Sequence, residues 1–324
     1  MEPTYACTLA EIEEARERIG AHVHQTPVIT CQALDQMAGR QLFFKCENLQ
    51  KVGAFKFRGA TNAVLTLTDE QAANGVVTHS SGNHAQAVAL AAKSRGIDAH
   101  IVMPSNAPAI KRAAVEGYGA RVISCQPTLA ARESTAAEVI AQTGASFIHP
   151  YNDSRVIAGQ GTTALEFLEQ TPGLDAIITP VGGGGLVSGV SIVCRALAPE
   201  IKILAAEPAG ADDAARSMEA GRLIPQEAPS TVADGLLTSL GDLTWPIIRD
   251  HVERIVRVDD SAIIAAMELF WQRAKLVIEP SAATALAPLL DDSLAGLDAD
   301  RVGVILSGGN VDLEKLPWQD GAGT

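Results

Sequence analysis

Short apolar segments alternate with helical segments along most of this chain, and three of the apolar segments run directly into polar loops that contain glycine. The three pairs of segment and loop are residues 76–78 with 80–84, residues 176–181 with 182–185, and residues 302–306 with 307–310. Such alternation is typical of parallel βαβ units. Because open parallel sheets bind ligands at the carboxyl ends of their strands, we expect the three loops to converge on one cleft. The sequence therefore predicts an α/β fold with parallel sheet throughout.

The remaining segments continue the alternation. Thr8 and Glu11 have the spacing of a capping box, which predicts a helix from there to about residue 19. Further strands are predicted at residues 42–46, 99–103, 121–125 and 202–206. Further helices are predicted at residues 85–94, 111–116, 132–142 and 186–197. The tail at residues 319–324 is expected to fray.

Charge and cysteine content limit the classes of partner and compartment. The 324 residues include 25 Lys and Arg against 38 Asp and Glu, a formal net charge of −13, which argues against general binding to nucleic acid or to an anionic membrane. The five cysteines are widely spaced without a C-x-x-C motif, as is usual for reduced thiols in the cytoplasm. No secretory signal pattern or membrane-spanning apolar run is present. We therefore expect a soluble, cytoplasmic protein.

Four consecutive glycines, at residues 182–185, follow a predicted strand and precede a predicted helix. Backbone N–H groups at a helix N-terminus bind anions, and glycine lets a phosphate approach closely, whereas a simple turn seldom needs four glycines. A dinucleotide site requires G-x-G-x-x-G, but Val187 and Ser188 stand where the third glycine would be. A nicotinamide site stays open as an alternative, because Glu207 after the next strand could bind a ribose. The loop favours a small phosphorylated cofactor.

Lys56 lies within KCENLQKVGAFKFRGA, residues 45–60. A lysine can form a covalent bond to a carbonyl group as well as carry a surface charge. Residues 55–58 alternate like a half-buried strand or turn, in which Lys56 would simply be solvated. The segment alone therefore leaves both interpretations open.

Polar residues of the predicted loops also have ordinary structural interpretations. Ser81 and Asn83 stand where a strand ends and a helix begins, so they could cap that helix. His84 is by default a hydrogen-bonded structural histidine. Ser307 could shape a turn with the glycines that follow it.

An acidic group, Glu207, Asp212 and Asp213, follows a predicted strand in the segment EPAGADD. Hard divalent cations favour such clusters of oxygen ligands. Acidic residues are also common at helix N-termini, where they oppose the helix dipole. The spacing alone does not decide between the two.

Together these segments resemble the fold-type II family of pyridoxal-phosphate enzymes, and within it the branch that contains serine racemase, the serine/threonine dehydratases and the 3-hydroxyaspartate dehydratases. The segments that carry the resemblance are ENLQKVGAFKFRGA at 47–60, SSGNHAQA at 80–87, HPYND at 149–153, VIAGQGT at 156–162, GGGGL at 182–186, AEPAGADD at 206–213, VADGL at 232–236, IEPSAA at 278–283 and SGGNVDL at 307–313. The resemblance implies two interlocked open parallel-sheet domains of the tryptophan synthase β type. The large domain would comprise residues 1–49 and 146–324, and the small mobile domain residues 50–145.

The resemblance also implies a role for each candidate residue. Lys56 would form a Schiff base with pyridoxal phosphate and then act as catalytic base, with Ser81 as a second catalytic residue on the opposite face. The implied cofactor contacts are Phe55, Asn83, Gly182, Gly183, Gly184, Gly185, Leu186 and Ser307. The implied substrate contacts are Ser80, Ser81, Asn83, His84 and Arg132. In metal-dependent members the positions of Glu207, Asp213 and the backbone carbonyl of Ala211 bind Mg²⁺ or a similar ion such as Mn²⁺ or Ca²⁺.

Two positions bear on the reaction that the resemblance implies. Serine at position 81 is typical of the racemase-like and hydroxyaspartate enzymes, and Arg132 could hold a β-carboxylate through two hydrogen bonds. We therefore expect an ammonia-lyase that converts 3-hydroxyaspartate to oxaloacetate and ammonia. A serine racemase with serine/threonine dehydratase side activity is the alternative, and a catalytically silent sensor of small ligands is a third hypothesis. A homodimer is also implied by the resemblance.

Overall fold

The computed structural model describes residues 5–107 and 109–319, which form two sheets with helices packed on them. The strands are β1 (Val28–Ile29), β2 (Gln41–Cys46), β3 (Val76–His79), β4 (Ala99–Pro104), β5 (Arg121–Cys125), β6 (Ser146–Phe147), β7 (Ala176–Pro180), β8 (Lys202–Pro208), β9 (Arg254–Val258) and β10 (Arg301–Leu306). The helices are α1 (Leu9–Ile19), α2 (Gln32–Ala38), α3 (Lys56–Leu65), α4 (Asp69–Ala73), α5 (Asn83–Arg95), α6 (Ala109–Gly117), α7 (Leu129–Thr143), α8 (Ser154–Gln170), α9 (Gly185–Leu197), α10 (Asp213–Ala220), α11 (Trp245–His251), α12 (Asp260–Ala274) and α13 (Pro280–Leu286).

The larger sheet has six strands in the order β1-β2-β10-β7-β8-β9. Its neighbouring strands are parallel except for β1, which runs antiparallel to β2 with Val28 opposite Lys45 and Ile29 opposite Phe44. The prediction of parallel sheet throughout is therefore wrong at this edge. A strand of two residues carries no readable periodicity. Its direction is set by the path of the chain along the free edge of β2, which local sequence does not encode.

The smaller sheet has four parallel strands in the order β5-β4-β3-β6. Its last strand, β6, lies just beyond the domain boundary predicted at residue 145. The division of the chain into a large domain and a small mobile domain stays a prediction. The described helices include none that is long and apolar enough to cross a membrane.

Helices cover both faces of each sheet, which explains why the strands are continuous apolar runs. On one face of the larger sheet, Phe44 packs edge-to-face on Phe270 of α12, with the ring centroids 5.1 Å apart, in a cluster that includes α2 and α13. The opposite face packs on α1, α8, α9 and α11. The smaller sheet packs on α3 and α5 from one side and on α7 from the other.

Helix α3 is in direct backbone contact with α8. A Cβ atom added to Gly159 of α8 would lie only 2.6 Å from the Cα of Gly59 in α3, so neither position has room for a side chain. The side chain of Asn62 also donates a 2.7 Å hydrogen bond to the carbonyl of Arg155. The helix that begins at Lys56 is thereby held against a helix that flanks the larger sheet.

The predicted helices and strands are confirmed to within a few residues. The capping box is present, because the Glu11 N–H donates to Thr8 Oγ1 and the Thr8 N–H donates to a Glu11 carboxylate oxygen. The expectation of a half-buried strand or turn at residues 55–58 is wrong, since α3 begins at Lys56 and Arg58 is completely buried. Residues 320–324 of the tail predicted to fray lie outside the described residues.

Candidate active site

Lys56 is a half-buried residue at the start of α3. Its Nζ donates a 2.8 Å hydrogen bond to the carbonyl of Pro150 and lies 5.1 Å from the centroid of the Phe55 ring. Burial lowers the pKa of Lys56 to about 8, and the negative charge of Glu279 partly opposes this shift. Lys56 is therefore not a freely solvated surface charge, and its amine loses its proton at a much lower pH than an ordinary lysine does.

Backbone hydrogen bonds bring the loop after β10 beside Lys56. The Phe55 N–H donates to the carbonyl of Ser307 at 3.0 Å, and the Gly309 N–H donates to the carbonyl of Gly53 at 2.9 Å. Ser307 is only 3% exposed. Two of the predicted cofactor contacts, Phe55 and Ser307, are thus joined directly next to the lysine.

Asn83, the first residue of α5, connects the loop after β3 to the same place. Its Nδ2 donates to a carboxylate oxygen of Glu279 at 2.9 Å, and its Oδ1 accepts from Asn310 Nδ2 at 2.9 Å. The residue that precedes α5 is Gly82, and no side chain caps this helix. The interpretation of Ser81 and Asn83 as helix caps is therefore wrong.

The glycine loop joins β7 to α9. Gly184 has φ of +86°, which disfavours a side chain there, and a Cβ added to Gly183 would lie 2.2 Å from the ring of Tyr151. Tyr151 follows Pro150, the residue whose carbonyl accepts from Lys56. The loop therefore lies beside the lysine, at the N-terminus of a helix whose backbone N–H groups favour an anion. Leu186 is buried in the first turn of that helix.

The sequence did not identify Glu279, which is buried at the centre of these contacts. Its carboxylate accepts from Asn83 and from the backbone N–H of Asn310 at 3.1 Å. Burial and the nearby negative charge of Asp234 raise the pKa of Glu279 to about 7. Its position just before Pro280 looks like an ordinary helix N-terminus. Only the resemblance of IEPSAA to the family marked this segment, without assigning the glutamate a role.

Two histidines near Lys56 are uncharged at neutral pH. His84 is buried, its Nε2 donates to the carbonyl of Ile148 at 3.1 Å, and burial lowers its pKa well below the usual value. Burial also lowers the pKa of His149 to about 4, and its Nδ1 accepts from the N–H groups of Tyr151 and Asn152. The structural interpretation of His84 fits this geometry, and its contact with substrate stays a prediction.

The other predicted substrate contacts surround the same region. Ser80 and Ser81 are half-buried in the turn between β3 and α5, where Ser80 Oγ accepts from the Gly82 N–H at 3.3 Å. Arg132 is half-buried on α7 and forms no ion pair with any acidic residue in the described part of the chain. Burial is the main cause that lowers the pKa of His79, and the positive charge of Arg132 lowers it further. The substrate contacts themselves stay predictions.

Glu207 and Asp213 form a buried acidic pair at the end of β8 and the start of α10. Glu207 accepts from the N–H groups of Ala214 and Ala215, and Asp213 accepts from the N–H of Leu240. Burial is the main cause that raises the pKa of Glu207 to about 8 and that of Asp213 to about 6. Neither carboxylate forms an ion pair with a Lys or Arg in residues 5–107 and 109–319. The same residues contain no group of three or more His, Cys, Asp or Glu side chains that could hold a metal ion.

Comparison with known proteins decides the family. Residues 19–308 match the model of the family described as "Pyridoxal-phosphate dependent enzyme". The chain is 53% identical over 316 residues to the beta-hydroxyaspartate dehydratase of Paracoccus denitrificans, covering 98% of this chain and 99% of that protein. It is 52% identical to the serine racemase of Arabidopsis thaliana over 96% of both chains. A solved structure of maize serine racemase superposes with a TM-score of 0.95, at 51% identity, over 98% of this chain and 97% of that one.

The chain belongs to the family of pyridoxal-phosphate-dependent enzymes. The predictions of a fold-type II α/β architecture and of an enzyme that uses pyridoxal phosphate are therefore confirmed. The nicotinamide and silent-sensor alternatives are wrong, since the family is defined by a different cofactor and its members are catalytic.

The residues present fit pyridoxal phosphate. Lys56 offers a desolvated amine for the aldehyde group, and residues 182–185 offer a cradle that side chains would fill. Ser307 offers a neutral hydroxyl, and Asn83 an amide held by Glu279 and Asn310. The individual contacts with the cofactor stay predictions, and the geometry supports them.

Covalent attachment of pyridoxal phosphate should depend on pH with a midpoint near 8. Only the uncharged amine attacks an aldehyde, and burial lowers the pKa of Lys56 to about 8. The attachment rate, followed by visible absorbance, should rise to that pH and then level off. Glu279→Gln removes the charge that opposes the shift, so its midpoint should lie at lower pH. The variant Lys93→Ala, at an exposed lysine, should keep the original profile. A wild-type midpoint near the ordinary lysine value of 10.5 would contradict this account.

Proposed function

We propose that the protein is an ammonia-lyase that converts 3-hydroxyaspartate to oxaloacetate and ammonia. Overall similarity to the beta-hydroxyaspartate dehydratase of Paracoccus denitrificans supports this choice. The observation that carries it is Arg132, a half-buried guanidinium with no acidic partner in the described residues. An arginine in such a setting suits a second carboxylate on the substrate.

Arg132 is the cation best suited to this role. A series of aromatic rings leads from its surroundings to the glycine loop: His79 lies 6.2 Å from His149, and His149 lies 4.6 Å from Tyr151, measured between centroids. His149 is uncharged, because its pKa is about 4. Lys111, a cation of α6, already pairs with Asp234. A substrate with two carboxylates would therefore find its second counter-charge at Arg132.

When bound, the cofactor would supply the electron withdrawal that weakens the Cα–H bond of the substrate. Lys56 Nζ would hold the proton removed from Cα, since its lowered pKa leaves about half of the amine uncharged at pH 8. Asn83 and Ser307 would orient the ring, and the N–H groups of residues 182–185 would bind the phosphate. Loss of the β-hydroxyl as water, followed by hydrolysis, gives a 2-oxo acid and ammonia.

Serine racemisation is the second candidate activity. It is favoured by the similarity to serine racemases of plants and by Ser81, whose hydroxyl would exchange a proton on the face of the substrate opposite Lys56. A racemase would exchange the Cα proton of serine faster than it eliminates water. The same substrate panel therefore separates the two activities.

The four stereoisomers of 3-hydroxyaspartate, tested beside serine and threonine, should give oxaloacetate from at least one isomer with the highest kcat/KM of the panel. Arg132→Ala should lower kcat/KM for that isomer by about 10- to 100-fold, as expected for loss of a charged hydrogen-bonded contact. It should change kcat/KM for serine much less, because serine lacks the β-carboxylate.

Arg121→Ala is a matched control, since Arg121 is an exposed arginine of the smaller sheet. It should leave both substrates unaffected. Turnover of serine or threonine without any oxaloacetate from 3-hydroxyaspartate would reject the proposed substrate. Equal losses on both substrates in Arg132→Ala would reject the proposed role of Arg132.

We also propose that Glu207, Asp213 and the backbone carbonyl of Ala211 bind Mg²⁺, Mn²⁺ or Ca²⁺. The two carboxylates are each 1% exposed, and no Lys or Arg of the described residues forms an ion pair with them. Buried carboxylates in this state are costly unless a cation compensates them. Backbone N–H donors already orient three of their oxygens, as is usual for ligating carboxylates.

If Mg²⁺, Mn²⁺ or Ca²⁺ binds at this site, its addition should raise the melting temperature of the protein by a few degrees. Binding at a hundred times Kd stabilises the folded state by about 2.7 kcal/mol. Asp213→Asn should abolish this rise. Asp212→Asn should keep it, because Asp212 instead pairs with Arg216 and Arg257 at the surface. No rise with any of the three ions, or an equal rise in Asp213→Asn, would reject the site.

We further propose a cytoplasmic homodimer. The cytoplasmic location is supported by the five cysteines, all of them free thiols. The dimer is supported by the exposed apolar side chains of Leu49 and Val277, each 43% exposed, on segments joined by a hydrogen bond from Asn48 to the Val277 carbonyl. A monomeric mass in light scattering would reject the dimer.

A further inference from the structure

Four charged side chains form a buried cluster to which neither the family resemblance nor the proposed reaction assigns a role. They are Lys45 of β2, Glu47 just after β2, Arg58 of α3 and Glu166 of α8, and we call them the anchor cluster. Lys45, Glu47 and Arg58 are completely buried and Glu166 is 8% exposed. Two cations and two carboxylates balance, so the cluster is neutral as a unit.

Arg58 binds the carboxylates of both Glu47 and Glu166 through paired hydrogen bonds. Its Nε and Nη2 donate to Glu47 at 2.8 and 2.9 Å, and its Nη1 and Nη2 donate to Glu166 at 2.7 and 2.8 Å. Lys45 Nζ donates to the same Glu166 carboxylate at 2.7 Å. Paired hydrogen bonds of this kind fix orientation as well as distance. The helix α3 is thus joined through one side chain both to the segment that follows β2 and to α8.

This connection lies at the first turn of α3. The first turn of a helix has unpaired N–H groups and tends to fray. The side chain of Phe55, which precedes α3, does not cap it. The Phe57 and Arg58 N–H groups donate to the carbonyls of Ala54 and Phe55, and the Gly59 N–H donates to Gln160 Oε1 of α8 at 3.2 Å. Lys56 is the first residue of the helix and Arg58 is in the same turn. The anchor cluster therefore holds the turn that carries the lysine.

The cluster also fixes the hydrogen-bond partner of Lys56. Lys56 Nζ donates to the carbonyl of Pro150, and Asp153, three residues later, caps α8 through its side chain. Glu166 lies on that same helix α8. The contact between Arg58 and Glu166 therefore connects the helix that carries the donor to the helix that follows the acceptor.

We propose that Arg58 is a positioning residue that, through the anchor cluster, keeps the Lys56 amine in its desolvated place beside the glycine loop. The positioning depends on the fork geometry of the guanidinium and not only on its charge. A lysine at position 58 would keep the charge and lose the fork. The inference rests on the proposed role of Lys56.

The test follows the covalent attachment of pyridoxal phosphate as a function of pH in wild type, Arg58→Lys, Glu166→Gln and Glu169→Gln. The last is a matched control, since Glu169 lies on the same helix but pairs with Arg16 at the surface. In Arg58→Lys and Glu166→Gln we expect the midpoint to rise from about 8 towards the ordinary lysine value, because a loosened Lys56 becomes better solvated. Glu169→Gln should keep the wild-type midpoint.

Steady-state kinetics give a second readout. Displacement of a reacting group by about 1 Å can cost about 100-fold, so kcat should fall by up to that factor in Arg58→Lys, with KM changed much less. Thermal unfolding of each variant without pyridoxal phosphate shows whether the variant is folded. If Arg58→Lys does not fold, the comparison uses Glu166→Gln alone. If electrostatics alone were at work, Arg58→Lys would keep the wild-type midpoint, and Glu166→Gln would lower it by leaving an excess positive charge.

Either electrostatic result would overturn the proposal. It would also be overturned if the folded variants keep the wild-type midpoint and kcat. Failure of the wild type itself to attach pyridoxal phosphate would instead reject the proposed role of Lys56, and this outcome is distinguishable because it does not depend on the variants.

Discussion

The candidate site depends on backbone pairing between residues 53–55 and residues 307–309. The Phe55 N–H donates to the Ser307 carbonyl, the Gly309 N–H donates to the Gly53 carbonyl, and Ala54 and Gly308 form an isolated antiparallel bridge. It follows directly on β10, whose last residue, Leu306, lies opposite Cys46 of β2 in the parallel register of the larger sheet. It brings a lysine from the first fifth of the chain next to a serine near its end. The other predicted cofactor contacts are arranged around that junction.

Burial has opposite consequences for two groups of ionisable residues. In the anchor cluster each charge has a partner within hydrogen-bond distance, and Arg58 holds the pKa of Glu47 below its usual value although burial alone would raise it. Around the glycine loop, Lys56, His149 and Glu279 form no ion pair with any described residue, so burial lowers the pKa of Lys56 and of His149 and raises that of Glu279. Charges that are paired fix the positions of the side chains that carry them. Buried groups without an opposite charge have shifted pKa values, which is typical of reactive groups. The two groups are connected through α3.

Much of this arrangement could be predicted from sequence because it depends on local signals. Strand ends followed by glycine mark residues 182–185 and 307–310, and the carboxyl ends of parallel strands meet at one edge. The first turn of α3 could not be predicted, since residues 55–58 alternate and become helical through the contacts of Arg58 and of Gly59 with Gly159. Glu279 was missed because an acid before a proline is ordinary at a helix start. Its importance comes from neighbours distant in sequence, Asn83 and Asn310.

Chemical trapping tests the central claim, that Lys56 is the residue to which the cofactor is attached. The protein loaded with pyridoxal phosphate would be reduced with borohydride, which makes the bond to lysine permanent, and then digested for peptide mapping by mass spectrometry. The account predicts that the label is found on the peptide that contains Lys56 and is lost in Lys56→Ala. Label on Lys111 or another lysine instead, with Lys56 unmodified, would contradict it.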